Sequence, residues 1–96
     1  MDTNTMLEML KVDLGISTKA YDERLIQYLK SAADDIAIEG ITLDPDSISD
    51  CNLQIMYAAW LWRKRDYRPS SANEANVGMP RMLRWQLNNR LFSEKV

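Results

Sequence analysis

At 96 residues, with 46% apolar and 27% charged side chains and only three Gly and three Pro, the chain has the size and composition of one small folded domain, neither a disordered tail nor several domains. It has no histidine and a single cysteine, Cys51, which removes the commonest general base, the commonest metal ligand and any intrachain disulfide. The net charge of −2 is unevenly divided: residues 1–50 carry four basic and eleven acidic side chains, net −7, and residues 51–96 carry eight and three, net +5.

The first helix is predicted from about Thr5 to Leu14, capped by Thr3, Asn4 or Thr5, with Gly15 where a left-handed residue is wanted. Met6, Leu7, Leu10 and Leu14 form its apolar stripe. The second begins after Ser17 or Thr18 and reaches Glu39, stopped by Gly40. On a helical wheel Tyr21, Leu25, Ile26, Tyr28, Leu29, Ala32, Ala33 and Ile36 share one side, and Glu23, Arg24, Gln27, Lys30, Ser31 and Asp34 the other.

Residues 41–47, with Pro45 between Asp44 and Asp46, read as a turn. The third helix starts there, capped by Asp46, Ser47 or Ser49, and runs to about Asp66. From Leu53 to Trp62 nine of ten residues are apolar. That run is too short to span a bilayer, and a helix apolar all round belongs at the centre of a bundle. Arg63-Lys64-Arg65 follows, favourable at a helix C-terminus.

Residues 67–79 have turn composition and form a long loop. Pro80 suits the first position of a last helix reaching about Phe92. Met79, Leu83, Leu87 and Leu91 make one stripe on it, and Met82, Trp85 and Phe92 a second on a different side. One domain core needs only the first. Trp85, between Arg81 and Arg84, is open to two placements, the domain interior or an interface with another subunit. The expected fold is all-α: a single domain, 1–96, of about four helices with a long loop before the last.

Chemistry is sparse. Cys51 has no histidine to pair with and reads as a small core residue. Asp44, Asp46 and Asp50 begin like a calcium loop, but Ser47-Ile48-Ser49 stand where a further ligand and the sharp-turn Gly belong, so they read as turn and cap. Gly15, Gly40 and Gly78 stand alone and build no phosphate loop. No enzymatic activity, cofactor or metal is expected. The opening residues lack a signal-peptide pattern, and the lone cysteine fits a reducing compartment such as a cytoplasm.

Leu14-Gly15-Ile16-Ser17 has the setting of a helix-turn-helix turn, but the helix after it is acidic, which opposes phosphate binding. A DNA surface would fall instead on Arg63, Lys64, Arg65 and Arg68 with Tyr67, joined by Arg81, Arg84 and Arg90. The divided charge has two readings. Opposite halves neutralise each other within the domain, or the basic face of one copy meets the acidic face of the next, head to tail, which on closure makes a ring.

The order and spacing of Leu7-Glu8-Met9-Leu10-Lys11-Val12-Asp13-Leu14-Gly15-Ile16, Tyr21-Asp22-Glu23-Arg24-Leu25, Tyr28-Leu29-Lys30-Ser31-Ala32-Ala33-Asp34-Asp35-Ile36, Tyr57-Ala58-Ala59-Trp60-Leu61-Trp62-Arg63 and the stretch from Met79 to Phe92 resemble the small helical head–tail connector proteins of tailed bacteriophages, also described as head-completion or DNA-packaging proteins. The resemblance implies a virion subunit, assembled in the host cytoplasm, that joins copies of itself in a ring beneath the portal. Its partners would be the portal protein, a tail-side connector or stopper protein, and DNA passing through the channel without sequence-specific binding. It implies no reaction and no membrane. The candidate subunit-interface residues are Met82, Trp85, Phe92, Arg81 and Arg84, and the alternative function is a small DNA-binding packaging or regulatory module using the basic half.

Overall fold

The first helix begins with a carboxylate: Asp2 accepts a hydrogen bond from the Thr5 N–H at 2.7 Å. In the computed structural model, which describes residues 1–65 and 79–94, α1 spans Thr3–Leu14, α2 Asp22–Ile38, α3 Ile48–Arg65 and α4 Arg81–Glu94. α1 thus starts two residues ahead of its predicted start. A charged cap satisfies an orphan amide and suits the helix dipole, so Asp2 prevails over the hydroxyl and amide caps that follow it.

Two glycines end helices in the same way. Gly15 and Gly40 take positive φ of 72° and 99°. After α1 the Ile16 N–H reaches back to Lys11 O and the Gly15 N–H to Val12 O; after α2 Ile41 reaches Ile36 O and Gly40 reaches Ala37 O. Each pair of bonds is the Schellman pattern, which satisfies carbonyls the helix leaves open. Behind the second, Ile36 and Ile41 are both buried, the apolar contact that commonly completes this cap.

α2 starts later than predicted, at Asp22. Neither Ser17 nor Thr18 caps it, and Tyr21 stands at the N-cap with no side-chain bond. Tertiary contacts set the start instead: Asp22 pairs with the buried Lys11 of α1 at 2.8 Å, and Tyr21 meets Trp62 of α3 edge-on at 5.3 Å. A cap scan along the sequence registers neither partner.

α3 is the centre, as its all-round apolar pattern demands, and it packs against each of the other three helices. Ser47 begins it, its Oγ accepting from the Asp50 N–H at 3.3 Å. Leu53, Ile55, Ala58 and Ala59 are buried in one core with Leu10, Leu25, Leu29, Ala32 and Ile36. Each such leucine contributes roughly 1.5–3 kcal/mol by leaving water. Gln54, a polar residue within this run, donates to Leu29 O at 2.9 Å, so it enters the packing satisfied. Cys51 is buried, its Sγ 3.4 Å from Pro45 O.

Among the described residues there are four helices and no strand, an all-α bundle. The loop expected at 67–79 lies outside the described residues except for Met79, and so does the predicted end of α3 at Asp66. Pro80 stands just before α4, its carbonyl accepting from the Arg84 N–H at 3.0 Å. No helix among the described residues is long and apolar enough to cross a membrane.

Candidate subunit interface

α4 leans on α3 by one face. Leu83 and Leu87 are buried there, with Met79 and Leu91 partly buried beside them. Leu91 comes so near the α2–α3 turn that a Cβ on Gly40 would lie 3.3 Å from its Cδ1. Arg90 shares the core-facing side, seven residues after Leu83, and it reaches the same turn. Its Nε donates to Asp50 Oδ1 at 2.9 Å and its Nη2 to Thr42 O at 2.7 Å and Asp50 Oδ2 at 3.2 Å. Nη1 meets Glu94 at 2.7 Å.

Asp50 is buried. Burial pushes its carboxyl up, but hydrogen bonds from Arg90 and from the Asp44 N–H outweigh that and hold it below the ordinary carboxylate value. The same bonds to Asp50 and Glu94 push the Arg90 guanidinium further up. Asp44 Oδ1 in turn accepts from the Asp46 N–H at 2.9 Å. The three aspartates are therefore turn, cap and ion-pair groups, and no cluster of three metal-ligating side chains occurs among the described residues.

The other face of α4 points outward. Met82, Trp85 and Phe92 are 59%, 61% and 72% exposed. With Asn89 they stand at i, i+3, i+7 and i+10, a narrow seam about 80° wide at 100° per residue, opposite Leu83 and Leu87. Of the two placements open to Trp85, the core formed by the described residues does not include it. The helix has two apolar faces on opposite sides, and the described residues cover one of them.

No family model, no curated protein and no solved structure matches the chain. What distinguishes it rests on its own geometry.

Part of the charge division is neutralised inside the domain. Arg84 pairs with Glu39 at 2.8 Å and Arg90 with Asp50, each joining the basic half to the acidic half. Arg81 stays exposed beside the seam. Of the basic surface residues, Arg63 is exposed with Nη2 3.5 Å from Asp13 O, and Lys64 lies over the Trp60 ring, 4.8 Å from its centroid. Arg65 is the last residue of α3, and Arg68 lies outside the described residues. Arg90 is therefore no part of an open basic surface. Its register with Leu83 and Leu87 was the available signal.

Sequence reasoning missed a second exposed apolar spot. Met9 and Val12 on α1 are 39% and 80% exposed, flanked by the exposed acids Glu8 and Asp13. Beside them a groove of about 530 Å³ opens between α1, α3 and α4, lined by Met9, Asp13, Asn52, Met56 and Gln86 among others.

Proposed function

We propose that this chain is a structural virion component, a ring-forming head–tail connector that binds the portal and tail-side proteins around the DNA channel and performs no reaction. The observation that carries this reading is the exposed Met82–Trp85–Phe92 seam on a helix whose other face already fills the core. Large aromatics left outside a small domain are a poor fit to a lone monomer and a good fit to the buried centre of a protein contact. The ordered resemblance of the helices to phage connectors supplies the setting.

Negative-stain microscopy of the full chain, alone and mixed with a portal protein, tests it. Closed rings or a collar on the portal are expected. Small monodisperse particles at every concentration, with no portal complex, overturn it.

The DNA-binding reading is favoured by one observation, the exposure of Arg63 and Lys64 at the end of α3. Against it, Arg84 and Arg90 are engaged by Glu39 and Asp50. A gel shift at low salt separates the two, since phosphate-driven binding is strongest there.

A further inference from the structure

Building on the self-associating subunit just proposed, we infer that the α4 seam of one copy seats on the outward face of α1 of the next, with Met82, Trp85 and Phe92 against Met9 and Val12. Charge selects this pairing. On the exposed rim of the seam stand Arg81 and Asn88; Arg84 on the same side is already paired with Glu39, and Glu94 turns back to Arg90. Two seams facing each other would bring the Arg81 guanidinium of each copy toward that of the other, with Glu39 occupied by Arg84.

The outward face of α1 is the complement. Its one base, Lys11, is buried against Asp22, which leaves Glu8 and Asp13 exposed around Met9 and Val12, with Arg63 of α3 reaching the Asp13 carbonyl and Glu8 facing no such cation among the described residues. Arg81 then faces acids, and the like-charge cost of self-pairing disappears.

Shape agrees with charge. From Met82 to Phe92 the seam is a ridge roughly 15 Å long at 1.5 Å per residue. Beside Met9, the groove of about 530 Å³ has Asn52 in its lining, a polar partner for the seam's Asn89, and room for a large side chain such as Trp85. Because ridge and groove are different surfaces of one chain, the contact can run head to tail from copy to copy, and such a contact makes a ring when it closes.

Sedimentation velocity on full-length charge variants tests it. Arg81→Glu alone, and Glu8→Lys with Asp13→Lys in one chain, are each expected to weaken self-association by about three- to tenfold. An equimolar mixture of the two variants is expected to recover wild-type association, since each then meets its opposite. All these positions are exposed, and circular dichroism verifies folding.

If Trp85→Glu dissociates the protein but the Glu8/Asp13 variant associates like wild type, the α1 surface is wrong and the subunit reading stands. Oxidation of an Asn89→Cys chain to a dimer linked through position 89, in preference to a mixed bond with a Val12→Cys chain, likewise overturns the pairing. A wild-type chain that stays monomeric through millimolar concentration overturns the pairing, and the connector reading falls with it when no complex with the portal forms either.

Discussion

Arg90 grips Asp50 across forty positions of sequence, Nε to Oδ1 at 2.9 Å and Nη2 to Oδ2 at 3.2 Å. Asp50 is almost fully buried while Arg90 keeps its outer edge in water, so removing the arginine strands a buried carboxylate. Arg90→Ala is expected to cost about 2–3 kcal/mol, somewhat below the loss typical of a fully buried pair. Urea unfolding of both single variants and the double variant gives the coupling directly. A loss below about 0.5 kcal/mol in Arg90→Ala, within the range of an ordinary surface substitution, would mean the grip is ornamental.

The same pair sets an acid limit. Asp50 titrates below its ordinary 3.8 in the folded protein, so the unfolded chain binds its proton more readily. The stability it contributes is complete above the unfolded value and fades as pH falls through the folded one. Stability measured by urea should decline below about pH 4. Asp50→Asn should flatten that decline; a slope unchanged by the substitution refutes the assignment.

The two capping glycines should differ under substitution. Gly15→Ala meets nothing within 4 Å, so only its φ of 72° resists, whereas Gly40→Ala adds a 3.3 Å approach to Leu91 to a φ of 99°. Losses of about 1 kcal/mol at Gly15 and more at Gly40 are expected from thermal melts. Equal losses would show that Leu91 yields at no cost.

Leu87 and Trp85, two positions apart on α4, should respond oppositely. Leu87→Ala removes a side chain that is 1% exposed and should cost about 2–5 kcal/mol. Trp85→Ala should leave folding stability within about 0.5 kcal/mol while reducing self-association. Denaturant melts and sedimentation on the same samples separate the two effects.

Much of this was legible in the sequence because periodicity reports burial. The stripes of α1 and α2, the all-round apolar α3 and the two faces of α4 follow from the spacing of apolar residues, and both glycine stops from the need for positive φ. The start of α2 was not legible, since Lys11 and Trp62, which hold Asp22 and Tyr21, are distant in sequence. Charge alone places Arg90 among the surface cations, whereas its register with Leu83 and Leu87 places it at the edge of the core. Val12 and Met9 escaped notice because isolated apolar residues on an amphipathic helix carry no pattern of their own.

Among the described residues α4 meets the body through Leu83 and Leu87, with Leu91 beside them, and through the Arg84–Glu39 and Arg90–Asp50 pairs, while α1, α2 and α3 interlock among themselves. Such an element opens as its own cooperative unit, below the free energy of global unfolding. Hydrogen exchange should show the α4 amides released sooner than those of α3, with Arg90→Ala widening the gap. The chain would then behave as a three-helix body with α4 as a separable outer layer, and the aromatic ridge on that layer would meet a neighbour as one unit.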